Sequence, residues 1–126
     1  MKRLLAIWLL LLTVTAARAE LPSANLFVAN QALAAGKPTV IDLGARACIP
    51  CKKMAPILEE LAGTYRDRAN VLFIDVREED AAADVFGIQM IPTQIFFDAK
   101  GKEVSRHIGF MDRDDLIKGL TAAGLK

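Results

Sequence analysis

The chain has few of the side chains that bind metal ions. Its 126 residues include only two cysteines and one histidine, whereas a structural zinc site needs four ligands. A copper site built from the two cysteines and His107 has suitable ligand types, but no spacing in the sequence favours it. We therefore expect no metal ion and no cofactor.

An excess of charge of one sign is missing as well. The 16 lysines and arginines nearly balance the 15 aspartates and glutamates, which leaves a formal net charge of +1. No run or stripe of basic residues is present, whereas proteins that bind nucleic acid carry such a surface. We therefore expect no nucleic-acid partner.

Long apolar runs are confined to the N-terminus. Lys2 and Arg3 precede an uninterrupted apolar run over residues 4–12, and an A-x-A sequence follows at residues 17–19. This order is typical of a secretory signal peptide. The run is shorter than the roughly 20 apolar residues that a membrane-spanning helix needs. An uncleaved anchor is the alternative.

We predict that residues 1–19 are a signal peptide, cleaved after Ala19, and that residues 20–126 form one domain. A chain of this length is long enough for one domain with its own core. The protein would then be periplasmic or otherwise exported, in a compartment where disulfides persist.

The two cysteines, Cys48 and Cys51, form a CxxC motif where a strand pattern changes into a helix pattern. Cys48 then lies at a helix N-terminus, where unpaired N–H groups and the helix dipole favour its thiolate. Cys51, one turn later, is placed to attack a mixed disulfide formed by Cys48. A purely structural disulfide is the alternative, but it would close a very short loop and constrain the unfolded chain little.

Hydrophobic periodicity and turn residues predict alternating strands and helices. We expect helices over residues 21–35, 48–62, 78–86 and 112–123, and strands over residues 39–45, 70–76, 93–97 and 103–108. Gly63 is expected just after the second helix, and the acidic residues 78–80 in the first turn of the third. A parallel pair followed by a hairpin predicts an α/β fold with a mixed sheet between helices.

Several motifs resemble those of thioredoxin. Residues 48–62 resemble its active-site helix, including Lys-Met-Ala-Pro-Ile-Leu at residues 53–58. Asp42 falls where that family has a buried aspartate, and Ile91-Pro92-Thr93 matches the loop with its cis-proline. Gly109 matches the glycine that closes the active-site surface.

The resemblance covers residues 23–126 and implies a thioredoxin-like fold, a three-layer α/β/α arrangement with a mixed central sheet. The sequence departs from the family at three positions near the motifs. Ala47 and Gly44 stand where the family has tryptophans, and Val71 stands where a lysine faces the aspartate.

The resemblance also implies roles for site residues. Cys48 is the nucleophile, Cys51 resolves the mixed disulfide, and the two form a disulfide when oxidised. Asp42 exchanges a proton with Cys51, directly or through water, and Pro92, in the cis form, lies against the pair. The substrate would contact a further set of residues around the motif: Ile49, Pro50, Ile91 and Gly109.

For several residues the sequence alone leaves alternatives open. Asp42 is either buried, with a pKa raised by desolvation, or placed at a solvated rim. Pro92 without the resemblance would be an ordinary trans proline. Arg46 either adds positive potential near Cys48 or is a solvated loop residue. We expect His107 to be a strand residue without a catalytic role.

Residues 91–98 and 102–112 also resemble the periplasmic C-terminal domain of DsbD-type transmembrane thiol reductases, and stand-alone thioredoxins fed by CcdA-type membrane reductases. This implies an exported, monomeric thiol–disulfide reductase that acts on disulfide-containing envelope proteins. Its electron donor would be a membrane thiol reductase of the DsbD/CcdA type. A disulfide oxidase or isomerase, and a non-enzymatic metal- or peptide-binding module, are the alternatives.

Overall fold

Four β-strands and four α-helices are formed by residues 20–126, the part of the chain that this computed structural model describes. Their order is α1 (Leu26–Leu33), β1 (Thr39–Gly44), α2 (Ile49–Thr64), β2 (Asn70–Asp75), α3 (Ala81–Val85), β3 (Thr93–Phe97), β4 (Glu103–Ile108) and α4 (Arg113–Ala122). The predicted signal peptide over residues 1–19 lies outside the described residues. None of the helices in the described part is long and apolar enough to cross a membrane.

The strands form one mixed sheet in the order β2-β1-β3-β4. β1 runs parallel to β2 and antiparallel to β3, and β3 and β4 form an antiparallel hairpin. All six residues of β1 are buried, which is expected for a strand with neighbours on both sides and helices on both faces. The predicted mixed sheet is therefore confirmed.

Helices cover both faces of the sheet. Because successive side chains of a strand point to opposite faces, β1 contributes to two separate cores. Val40 packs with Met54 of α2 and Leu116 of α4. Ile41 and its neighbours pack with the buried alanines of α1 and α3 on the other face. The three-layer α/β/α arrangement predicted from the sequence is confirmed.

Two helices are shorter than the sequence predicts. α1 begins only after Asn25, whose side chain accepts a hydrogen bond from the Val28 N–H at 2.9 Å. The preceding residues lie along β2, where the Ala24 N–H donates to the Phe73 carbonyl at 2.7 Å. Residues 78–80 do not form the first turn of α3, which begins at Ala81. The Glu79 carboxylate instead accepts a hydrogen bond from the Leu26 N–H at 3.2 Å, at the start of α1.

The predicted end of α2 is also wrong. The helix continues through Gly63 to Thr64, and the Tyr65 N–H closes its last turn on the Leu61 carbonyl. Gly63 is exposed and a β-carbon there would meet no atom within 4 Å. The glycine therefore lies inside the helix and does not terminate it.

Candidate active site

The CxxC motif lies where β1 ends and α2 begins. Cys48 is the N-cap of α2, and its sulfur accepts a hydrogen bond from the Cys51 N–H at 3.4 Å. A disulfide joins the two cysteines, whose Cα atoms are 5.1 Å apart. Cys48 is half-buried, whereas Cys51 is only 5% exposed. The cysteine at the helix start is therefore the more accessible of the two.

Gly44 lets the sulfur of Cys51 lie against the end of β1. A β-carbon at Gly44 would be 3.0 Å from the Cys51 sulfur and 3.4 Å from the Phe73 ring. Real β-carbons rarely approach a neighbour so closely. The glycine that replaces the family's tryptophan thus leaves room for the buried sulfur.

Asp42 lies two residues before Gly44, on the same face of β1. It is fully buried, so the solvated-rim alternative is wrong. Its Oδ1 atom accepts a hydrogen bond from the Gln94 amide at 2.9 Å, while its Oδ2 atom has no hydrogen-bond partner among residues 20–126. Burial raises the pKa of Asp42 to about 6, and the hydrogen bond from Gln94 partly opposes this. The predicted direction of the pKa shift is confirmed.

The loop before β3 lies beside the same strand end. Because β3 is antiparallel to β1, Thr93 pairs with Leu43 near the end of β1. The Ile91–Pro92 peptide bond is cis, as the resemblance implied, and Pro92 is buried. The Gly109 N–H donates to the Pro92 carbonyl at 2.8 Å, with Gly109 at a φ of +99°. The structure therefore places Gly109 next to Pro92.

Exposed apolar side chains adjoin these motifs in the chain. Ile49, which follows Cys48, is 71% exposed, and Met90, which precedes Ile91, is 61% exposed. Phe110, which follows Gly109, is 45% exposed. Exposed apolar side chains that form a contiguous patch often mark an interaction surface.

Arg46 points to the segment before α1. Its guanidinium group lies 4.6 Å from the centre of the Phe73 ring and donates to the Leu21 carbonyl at 2.7 Å. It also pairs with the Glu20 carboxylate at 3.0 Å. Arg46 is thus a partly exposed loop residue, and its charge is paired with Glu20.

Gln94 lies in the site, although the sequence alone did not indicate it. It lies opposite Asp42 on β3 and opposite His107 on β4, and it is fully buried. Its Oε1 atom is hydrogen-bonded to Nδ1 of His107 at 2.9 Å. One signal was available, because Gln94 is a polar residue in the apolar run that forms β3.

A redox-active disulfide at a helix start, above a buried carboxylate and beside a cis-proline, defines a thiol–disulfide oxidoreductase site on this fold. The thioredoxin family model matches residues 23–122, so the chain belongs to the thioredoxin family. It is 43% identical over 79 residues to thioredoxin from Staphylococcus saprophyticus, covering 63% of this chain and 75% of that protein. It is 38% identical over 87 residues to thioredoxin from Alicyclobacillus acidocaldarius, covering 69% and 82%.

A solved structure is similar as well. A mutant thioredoxin from Halobacterium salinarum superimposes with a TM-score of 0.72 at 29% sequence identity, over 86% of this chain and 95% of that one. Family and CxxC disulfide together make the protein an enzyme, a thiol–disulfide oxidoreductase.

Proposed function

We propose that the protein is an exported reductase of disulfides in envelope proteins. The Cys48 thiolate attacks a substrate disulfide and forms a mixed disulfide, and one substrate sulfur leaves as a thiolate that takes up a proton. The Cys51 thiolate then attacks the Cys48 sulfur and releases the second substrate thiolate. The substrate disulfide gains two electrons, and the Cys48–Cys51 dithiol loses them.

The observation that carries the reducing direction is the hydrogen bonding of the Cys48 sulfur. In the described part of the chain, one N–H, that of Cys51, donates to this sulfur. Pro50, the second residue of α2, has no N–H to add. Extra donors would stabilise the reduced, thiolate form and make the pair more oxidising. Ile91, beside Pro92, also supplies no hydroxyl group.

Redox equilibration with glutathione tests this direction. We expect a potential near roughly −270 mV, the thioredoxin value, and not near roughly −120 mV, the value of a strong oxidant. A potential above about −180 mV would reject the reductase and favour the oxidase or isomerase alternative.

A matched pair of variants tests the physical cause. Pro50→Ala adds an N–H in the first turn of α2, near the Cys48 sulfur, and should make the potential less negative. Pro56→Ala, in the same helix but beyond its first turn, should leave the potential unchanged. Equal shifts in the two variants would show that the missing N–H at Pro50 is not the cause.

Export is proposed from the N-terminal sequence, and the electron donor from the second resemblance. Cleavage after Ala19 predicts that N-terminal sequencing of the exported, monomeric protein begins at Glu20. Recovery of the intact chain from carbonate-washed membranes would show an anchored protein instead.

Thiol trapping in cells tests the donor. With a DsbD/CcdA-type membrane reductase present, the cysteines should be trapped as thiols, and its deletion should leave them as a disulfide. A redox state that does not respond to the deletion would remove this donor from the proposal.

A further inference from the structure

A row of hydrogen-bonded polar side chains crosses the sheet from its centre to its edge. Asp42 of β1 pairs in register with Gln94 of β3, and Gln94 pairs with His107 of β4. The three side chains therefore lie side by side on the face covered by α2. Their neighbours on β1 and β3, Val40 and Phe96, belong to the apolar core.

The Gln94 amide uses both its donor and its acceptor atoms in this row. Its nitrogen donates to Asp42 Oδ1 at 2.9 Å and lies 3.2 Å from the Met54 sulfur, and its oxygen contacts His107 Nδ1 at 2.9 Å. An ionised carboxylate only accepts hydrogen bonds. The amide nitrogen must then face Asp42, the amide oxygen must face His107, and Nδ1 of His107 must carry a proton.

The remaining carboxylate oxygen lies under the helix that carries the buried cysteine. Cys51 packs against Gly44, two residues from Asp42 on the same face of β1. Met54, one turn after Cys51, contacts the amide that holds Asp42. The face of α2 that bears Cys51 and Met54 thus covers the carboxyl group, whose Oδ2 atom has no hydrogen-bond partner in the described part of the chain.

We propose that Gln94 and His107 are positioning residues for the proton transfer at Cys51. His107 orients the Gln94 amide, and Gln94 holds Asp42 by Oδ1, so that Oδ2 is the atom that exchanges the proton. The inference rests on the oxidoreductase function and on Asp42 as the proton partner of Cys51.

In the resolving step the Cys51 thiol gives its proton to the Asp42 carboxylate. The resulting Cys51 thiolate forms the bond to the Cys48 sulfur, and the bond between Cys48 and the substrate sulfur breaks. The substrate sulfur leaves with the electron pair. The carboxyl group later returns the proton to solvent or to a thiolate.

Among the described residues, no charged side chain contributes to the pKa shift of this carboxyl group. Phe73 and Gln94 lie opposite Asp42 on β2 and β3, and α2 contributes Met54 and disulfide-bonded Cys51. Arg46 lies on the Phe73 ring and is paired with Glu20. His107, beyond Gln94, is the second titratable group of the row. The hydrogen bond from Gln94 opposes the rise that burial causes in the pKa of Asp42. Removing that bond therefore raises the pKa further.

The test is the pH dependence of mixed-disulfide resolution, followed as release of a chromogenic thiol from Cys48. In Gln94→Leu the inflection should move upward by about one pH unit, because a hydrogen bond to a charged group is lost. His107→Leu should move it in the same direction. His107→Asn keeps a donor near the position of Nδ1 and should restore the wild-type profile. Ser105→Ala, on the same face of β4, is the control and should not shift it.

Carbon-13 NMR titration measures the pKa of the Asp42 carboxyl group directly. This second measurement separates a change in the pKa from a change in packing. An unchanged Asp42 titration and an unchanged inflection in Gln94→Leu would overturn the inference, as would an equal shift in Ser105→Ala. These outcomes leave the proposed reductase intact, because that proposal depends on the potential of the wild-type pair. A shift confined to the Gln94 and His107→Leu variants supports positioning.

Discussion

The two cysteines differ in accessibility, and this difference predicts different mutant behaviour. Cys48 is the N-cap of α2 and is half-buried, whereas Cys51 lies in the first turn of the helix, against Gly44. Cys48→Ser should therefore abolish reaction with disulfide substrates. Cys51→Ser should accumulate covalent complexes with substrates, visible on non-reducing gels and removed by a reductant. Complexes trapped by Cys48→Ser but not by Cys51→Ser would reverse the roles.

Because the carboxyl group of Asp42 is buried, replacing it should stabilise the protein, and the gain should depend on pH. Asp42 has a pKa of about 6 in the folded protein, against 3.8 for the free group. The stability that it contributes is therefore present below pH 3.8 and is lost as the pH rises through about 6. Asp42→Asn keeps an acceptor for Gln94 and should raise the free energy of unfolding at pH 8 by up to about 3 kcal/mol.

Urea denaturation of the oxidised proteins at several pH values measures this effect. Near pH 4 the two proteins should differ little, because the folded protein then holds Asp42 neutral. A stability difference that is the same at pH 4 and pH 8 would show that the carboxyl group does not titrate as inferred. Wild-type protein serves as the control at each pH.

Sequence reasoning found the site residues that belong to local motifs. Cys48 and Cys51 are recognisable because two cysteines at this spacing precede a helix pattern, and Asp42 because a carboxylate interrupts an apolar strand. The link from Gln94 to His107 was missed, since it depends on the register of strands that are distant in sequence. Pairing register cannot be read from one strand alone.

At the scale of helices, two glycines predict opposite effects of the same substitution. A β-carbon at Gly119 of α4 would overlap the Phe96 ring, whereas one at Gly63 of α2 would meet no atom within 4 Å. Gly119→Ala should lower the free energy of unfolding by about 1–3 kcal/mol through overpacking. Gly63→Ala should raise it by about 0.5–1 kcal/mol, since glycine is a poor helix former.

Urea denaturation at neutral pH measures both changes, and each variant is the control for the other. The m-value should stay constant if only the folded state is affected. A stabilised Gly119→Ala variant would mean that α4 and the Phe96 ring move apart at little cost. Destabilisation by Gly63→Ala would mean that α2 ends before this residue, as the sequence alone predicted.

The elements that the sequence predicted best are those whose boundaries depend on local pattern. β3 and β4 have the predicted bounds, because alternation and the turn at residues 98–101 define the hairpin. α1 and α3 were predicted too long, because contacts with distant residues decide their ends. Ser23 forms a bridge to Phe73, and Glu79 bonds to the first residue of α1.

At the scale of the whole molecule, the position of β1 predicts that the part of the chain before β3 cannot fold alone. Without β3, β4 and α4, β1 keeps only β2 as a neighbouring strand, and the two cores lose buried side chains, among them Phe96, Leu116 and Ile95. A chain that ends at Met90 should therefore show no cooperative thermal transition by circular dichroism, whereas the full chain should. A cooperative transition in the shorter chain would contradict this.

The antiparallel pairing of β1 with β3 also has a consequence for the order of folding. The hydrogen bond between Asp42 and Gln94 joins residues 52 positions apart. Contacts of such sequence separation form slowly compared with a helix such as α2, which closes within itself. We therefore expect α2, which carries the cysteines, to form before Asp42 forms its hydrogen bond with Gln94. The hydrogen bond that holds the Asp42 carboxyl group then forms together with the sheet, and not with the helix that carries the cysteines.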